Sequence, residues 1–241
     1  SKVVGFVDSD DYVDIDMFRK LLELKQKTNA EIAVGGVKMA TYDGKVYMVR
    51  AVDIETVSNR HDAMEELLKS KKILNSVCNK IFDISLFEQI EFPVGKLYED
   101  EYVTYKLFDR ANTIAMTNQV FYYYRSNPGS ITHKTFSGRE FDRSDASQIK
   151  VDFIQQNYPD LLPYAERYLV YDCVMALSKM TEYKKSYDKL TKDNIRKYLK
   201  CFMQGDYSKG TKAFALIAAI SPRYSVLVFD RIKRIKMKNH E

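Results

Sequence analysis

The chain opens on an apolar, β-branched run, Lys2-Val3-Val4-Gly5-Phe6-Val7, which predicts a buried strand. A central strand needs neighbours on both sides, so a segment preceding this one is expected. Asp8-Ser9-Asp10-Asp11 ends the run. Apolar positions then recur at helical spacing (Met17, Leu21, Leu24) and predict a helix over 17–28, capped by Asp14 or Asp16. Ile32, Val34 and Val37 mark a second apolar strand, and Asp43-Gly44 between two β-prone runs is a hairpin signal. Ser58 is expected to cap a helix over 60–69. A strand over 76–82, a short helix over 85–89 and a loop through Phe92-Pro93-Val94-Gly95-Lys96 follow. A helix over 100–111 begins with acids, which suits its dipole. Two short strands are expected at 113–116 and 120–124.

From about residue 137 the pattern is helical only, with helices expected over 139–157, 161–181 and 193–203 and one last helix near the C-terminus. The stripe Tyr164, Tyr168, Tyr171 and Met175 reads as packing surface rather than a cofactor site. No repeat or low-complexity segment interrupts the chain. The expected organisation is α/β over 1–135, a helical extension over 136–208 and a basic amphipathic tail over 209–241.

The 241 residues are 45% hydrophobic and 29% charged, which excludes disordered and fibrous classes and allows a core without metals or disulfides. Cys78, Cys173 and Cys201 are odd in number and far apart, with no C-x-x-C or Cys/His cluster. That excludes a zinc ribbon or a disulfide framework and predicts a reducing compartment. Residues 1–7 lack a basic stretch leading into a long apolar one, so a cytoplasmic location is expected.

Charge is unevenly placed. Residues 209–241 carry eight Lys/Arg against Asp230 and Glu241, a net of +6 in a chain whose total is +5. The longest late apolar run, 213–220, falls short of the roughly 20 residues that span a bilayer. Apolar residues beside Arg231-Ile232-Lys233-Arg234-Ile235-Lys236 suit an anionic membrane surface, where each base contributes about 1 kcal/mol. A solvated basic terminus is the alternative. Nucleic acid is not an expected partner, because no groove-reading motif accompanies the charge.

Three segments carry candidate chemistry. Asp8 and Asp10 stand two residues apart just past a strand, where both carboxylates face one side if the backbone stays extended. Hard oxygen ligands at that spacing suit Mg²⁺ or Mn²⁺ with phosphate oxygens completing the shell. A polar turn is the simpler alternative. The run fails as an EF-hand loop: counting from Asp8, Val13 and Arg19 stand where Gly and Glu are needed. Glu99-Asp100-Glu101 crowd three acids at a helix start, which raises a carboxyl pKa toward the range of a general base; ordinary helix capping is the alternative. Tyr122-Tyr123-Tyr124-Arg125, followed by Ser130, Ile131, Thr132, His133 and Lys134, offers aromatic faces and groups that address a diphosphate.

Taken in order, these segments resemble the second half of a family 2 glycosyltransferase of the GT-A fold. The likeness rests on Gly5-Phe6-Val7-Asp8-Ser9-Asp10-Asp11-Tyr12-Val13, Asn79-Lys80, Phe92-Pro93-x-Gly95-Lys96-x-Tyr98-Glu99-Asp100-Glu101, and Tyr122-Tyr123-Tyr124-Arg125 with Ser130-Ile131-Thr132. It covers about residues 2–135 and is nearest to bacterial enzymes of capsule, exopolysaccharide or cell-wall synthesis. The resemblance implies the C-terminal half of a Rossmann-like sheet domain, without the N-terminal nucleotide-binding half, followed by an α-helical extension. It implies Asp8 and Asp10 as a D-x-D motif holding Mn²⁺ or Mg²⁺ against the donor diphosphate. Asp100 becomes the base, Glu99 and Glu101 its acidic neighbours, and Arg125, Ser130, Thr132 and His133 the diphosphate side. The implied reaction is inverting transfer of a hexosyl group from a nucleotide-sugar donor to a hydroxyl of a glycan or lipid-linked acceptor, peripheral to the inner face of the cell membrane. Two other classes are carried alongside: a catalytically incomplete interaction module, and a D-x-D phosphohydrolase.

Overall fold

The computed structural model describes residues 2–41, 43–126, 136–180 and 183–238, with side chains to Arg231. The expected positions Ser130, Thr132 and His133 lie outside the described residues. The chain divides into a sheet unit, up to Val94 and again from Glu99, and a helical unit of Gly95–Tyr98 and the described residues from Phe136 onward.

The sheet unit holds β1 (Val3–Gly5), β2 (Tyr12–Val13), β3 (Ile32–Thr41), β4 (Val46–Arg50), β5 (Thr56–Asn59), β6 (Lys80–Asp83) and β7 (Thr113–Ser126). Their order is β1-β6-β3-β7-β2, with β4 beside β3 and β5 beside β7. β3 and β7 run parallel; every other described pairing is antiparallel. β3 is central because its first half, Ile32-Ala33-Val34-Gly35-Gly36-Val37, is buried throughout, as a strand covered on both faces requires.

β1 departs from the expectation of a buried strand. Among the described residues it pairs only with β6 and stands at the end of the strand order, with Val3 and Val4 half-buried and Gly5 exposed. The β-branched run predicted a strand correctly, but composition alone does not fix its rank in the sheet. β7 also differs: the two expected short strands are one strand of 14 residues. Its first half pairs β5 and its second half β2. Polar Thr117-Asn118-Gln119 interrupts the apolar pattern, and the register against β3 shifts around Gly36. A Cβ there would stand 2.9 Å from the Ala51 Cβ, so only glycine lets the chains pass this closely.

α1 (Met17–Thr28) begins and ends as the periodicity predicts and buries Met17, Leu21 and Leu24. The expected side-chain cap is absent: Asp16 at the N-cap makes no capping bond, and the Asp14 carboxylate accepts the Asp16 N–H at 2.9 Å ahead of the helix. Lys25 of α1 pairs with Asp83 of β6 at 2.9 Å. The cap of α2 (Arg60–Lys69) is Asn59, not Ser58: Asn59 accepts the Asp62 N–H at 3.0 Å, whereas Ser58 sits inside β5 opposite Ile114. β6 starts at Lys80, so 76–79, expected in strand, form a loop ahead of it. α3 (Asp100–Arg110) buries Val103, Leu107 and Phe108. Phe6, Phe82, Phe87 and Phe92 form an aromatic cluster with ring centroids 5.5–6.5 Å apart, in edge-on and tilted contacts.

The helical unit holds α4 (Asp142–Asn157), α5 (Leu162–Lys179), α6 (Asn194–Met203), α7 (Lys209–Ile220) and α8 (Pro222–Lys238). The single expected C-terminal helix is two. Pro222 has no N–H with which to continue α7 and instead starts α8, a position proline favours. Phe214, Ala215 and Ala218 of α7 and Val226 of α8 are buried. No helix among the described residues is long and apolar enough to cross a membrane. The architecture is α/β followed by a helical extension.

Candidate functional site

Beyond β1 the chain turns at Asp8, with the Asp11 N–H donating to the Asp8 carbonyl at 3.2 Å, so residues 8–11 are a polar turn and not the extended stretch whose alternation would put Asp8 and Asp10 on one side. The third acid of the run is fixed by β7. Tyr122 Oη donates to Asp11 Oδ2 at 2.7 Å, and the Arg125 N–H donates to Asp11 Oδ1 at 2.9 Å. Burial raises the Asp11 pKa, and these two donors oppose the rise. Tyr122 Oη also accepts the Asp8 N–H at 3.2 Å, and Arg125 Nε donates to the Asp10 carbonyl at 3.3 Å. The turn is therefore tied to β7 through the backbone at Asp8 and Asp10 and through the side chain at Asp11. The carboxylates of Asp8 and Asp10 are exposed, and no hydrogen bond or ion pair among the described residues engages them.

Next to this turn lies the loop ahead of β6. Lys80 is completely buried, and its ammonium donates to the carbonyls of Leu74 and Ser76 and to Asn79 Oδ1. Burial pulls its pKa down to about 7, with Asp100 opposing. Three oxygen acceptors suit –NH₃⁺ better than a neutral amine and so favour the cationic form that burial disfavours. Asn79 is fixed in turn by its amide on the Gly35 carbonyl. Buried Thr104 of α3 donates to the Asn75 carbonyl, so α3 and this loop are stitched together.

Asp100 is the first residue of α3. Burial, then the charge of Glu99, raises its pKa to about 7; Lys80 and a hydrogen bond from the Val77 N–H oppose the rise, and Asp8 adds to it. The Cys78 thiol, in the same loop, is pushed up to about 12, by burial first and by Asp8 next. Asp8 thus acts electrostatically on both Asp100 and Cys78. Glu99 is exposed; Glu101 is buried. Of the residues singled out from sequence, Asp8, Asp10, Asp100 and Arg125 fall in one neighbourhood of the sheet unit.

Sequence reasoning gave Lys80, Asp11 and Tyr122 no role of their own. A lysine inside Val77-Cys78-Asn79-Lys80-Ile81-Phe82 was the available signal, since a cation in an apolar run must find buried acceptors.

Among the described residues no three His, Cys, Asp or Glu side chains converge as a metal cage. Two unengaged carboxylates, Asp8 and Asp10, form a partial set of hard oxygen donors. That set fits Mg²⁺ or Mn²⁺ bound jointly with phosphate oxygens and water.

No family model matches the chain. It is 31% identical over 136 residues to the glycosyltransferase GlyA of Streptococcus pneumoniae, covering 54% of this chain and 20% of that protein. It is 27% identical to GlyG, a glycosyltransferase of the same organism, covering 61% of this chain and 49% of that protein. A Bacillus subtilis protein named as an uncharacterized glycosyltransferase, EpsJ, is 26% identical over 54% of this chain and 39% of its own length. The chain thus spans between a fifth and a half of these curated relatives. In fold it is similar to S. aureus TarS 1–349, with a TM-score of 0.54 at 16% identity, over 98% of this chain and 67% of that one. Its sequence likeness is to glycosyltransferases, and its fold likeness is to TarS.

The geometry makes Tyr122 the tie between β7 and the acidic turn. Tyr122→Phe removes one donor to Asp11 and the acceptor of the Asp8 N–H, and should cost about 1–3 kcal/mol in urea denaturation. Amide exchange at Asp8 should rise with it. A Tyr122→Phe protein as stable as the parent, with Asp8 equally protected, would contradict this reading.

Proposed function

We propose that the chain carries the metal- and acceptor-side half of an inverting glycosyltransferase of the GT-A, family 2 type. It would move a hexosyl group from a nucleotide-sugar to a hydroxyl of a glycan or lipid-linked acceptor in capsule, exopolysaccharide or cell-wall synthesis. The observation that carries the proposal is the pairing of two open carboxylates, Asp8 and Asp10, with a separate carboxyl, Asp100, whose pKa is raised to about 7. The named relatives support the same class.

In this reading Asp8 and Asp10 would hold Mn²⁺ or Mg²⁺, which would supply charge neutralisation for a nucleoside diphosphate leaving group. Asp11, held by Tyr122 and Arg125, keeps the turn in place without itself being a ligand. Arg125 lies on the diphosphate side, with Ser130, Thr132 and His133 assigned there from sequence alone. Asp100 takes the proton of the acceptor hydroxyl as that oxygen attacks the anomeric carbon from the face opposite the leaving group. A base with a pKa near the working pH is the efficient choice. Glu99 lifts that pKa and Lys80 restrains it.

The first test is thermal stabilisation of the full chain by Mn²⁺ with UDP or GDP. A ligand at 100 times its Kd adds about 2.7 kcal/mol, enough to raise Tm by several degrees. The shift should require metal and nucleotide together, vanish in Asp8→Ala and Asp10→Ala, and survive in Asp100→Asn. Absence of any shift with either nucleotide would favour the interaction module. The second test is the pH dependence of transfer. Protonated Asp100 cannot accept a proton, so the rate should fall as pH drops through about 7. Lys80→Met removes the opposing cation and should move that limb to higher pH. A rate flat between pH 6 and 8 would exclude Asp100 as the base.

The proposed setting is the inner face of the cell membrane. Leu216 and Ile220 of α7 and Tyr224, Leu227 and Val228 of α8 are exposed, and Arg223 and Arg231 are exposed beside them. Apolar side chains flanked by bases suit anionic lipid. Leu227→Ser with Arg231→Glu should reduce co-sedimentation with phosphatidylserine vesicles several-fold, and phosphatidylcholine vesicles should bind weakly. Equal binding of parent and variant would refute docking through this face.

A further inference from the structure

The register of β6 against β3 pairs Val34 with Lys80, and one residue further on Gly35 stands opposite Asn79. Both residues lie in the sheet unit. In a regular antiparallel ladder such a pair exchanges backbone bonds in both directions. Here only one of the two is a backbone bond: the Gly35 N–H donates to the Asn79 carbonyl at 2.9 Å. The bond to the Gly35 carbonyl comes from the Asn79 side-chain amide. The amide stands in for a backbone donor, and the main chain is released from the strand direction at this residue.

The released chain turns at once. The Lys80 N–H donates to the Val77 carbonyl at 3.3 Å, closing a turn over 77–80, and the Cys78 N–H donates to Ser76 Oγ at 3.1 Å. This is why 76–79, apolar enough to predict strand, is loop. The other end of the Asn79 amide group, Oδ1, accepts from the Lys80 ammonium at 2.8 Å, and the same ammonium holds the Leu74 and Ser76 carbonyls. Asn79 is thus 3% exposed and engaged at both ends of its side chain. The turn it starts presents the Val77 N–H to the Asp100 carboxylate, within the same unit.

We propose that Asn79 is a positioning residue for Asp100. By bonding the Gly35 carbonyl with its amide and the Lys80 ammonium with its oxygen, it ends β6 at Lys80 and aims the Val77 N–H at the Asp100 carboxylate. The part Asp100 plays in transfer rests on the function proposed above; the aim of the Val77 N–H does not.

Amide NMR of the full chain tests this without metal, nucleotide or turnover. An N–H bonded to a carboxylate senses its ionisation, so the Val77 amide shift should step with pH in the parent and lose that step in Asp100→Asn. Asn79→Ala should shrink the step several-fold and speed hydrogen exchange at Gly35 about tenfold, as loss of one buried hydrogen bond predicts. Residues 32–34 of β3 should stay as protected as in the parent. Asn79→Asp keeps an oxygen for Lys80 and removes the donor to Gly35, so it should give the same losses. It carries the test alone if Asn79→Ala, which leaves the buried cation one acceptor short, does not fold. An asparagine with a merely structural role would loosen Gly35 and leave the Val77 step at its parental size, and that result would overturn the proposal. A parental step that persists in Asp100→Asn would overturn it as well. Nucleotide stabilisation by Mn²⁺ is read separately, so failure of the transferase reading and failure of this one give different results.

Discussion

Carboxylates crowded at one end of a sheet repel one another, and the sheet unit is organised around how each is handled. Asp11 is satisfied by the Tyr122 hydroxyl and the Arg125 amide. Asp100 is restrained by the Lys80 cation and the Val77 N–H while burial and Glu99 push against them. Lys80 is tolerated in the core only because Leu74, Ser76 and Asn79 supply three oxygens. Asp8 and Asp10 remain outside these arrangements, which is what a metal held jointly with phosphates requires.

These arrangements have different structural origins. Asp11 depends on β7 reaching past its polar interruption at 117–119 to place Tyr122 opposite Val13. Lys80 depends on β6 starting late, so that 74–79 can curl over the ammonium. Asp100 depends on α3 being tied by Thr104 to the Asn75 carbonyl, beside the Val77 N–H and the Lys80 cation. Losing any one of them would leave a charge without its partner, the most destabilising outcome for a buried ion.

Much of this was legible in the sequence. The α/β pattern giving way to helices, the bounds of α1, the hairpin at Asp43-Gly44 and the acidic pairs all follow from spacing. What was not legible depended on long-range partners. The Val3-Val4 run reads as a strand whether it is central or at an edge. Ser58 and Asn59 are both good caps, and only the pairing of β5 with β7 decides between them. Thr117-Asn118-Gln119 looks like a break until Gly35-Gly36 stands opposite to absorb the shift. Lys80 was visible as an anomaly, but its acceptors are mostly backbone carbonyls, which no side-chain pattern encodes.

The central claim is that Asp8 and Asp10 bind a divalent cation close to Asp100. Paramagnetic broadening by Mn²⁺ in amide NMR spectra of the full chain, with a nucleoside diphosphate present, reads this directly. Broadening should be strongest at 8–11 and extend to Cys78 and Asp100. Ser58 should stay sharp, because it pairs with Ile114, eight residues along β7 from Tyr122 and so about 26 Å away along the strand. Broadening centred on other exposed acids such as Asp43 or Asp53, with Cys78 and Asp100 untouched, would contradict the account.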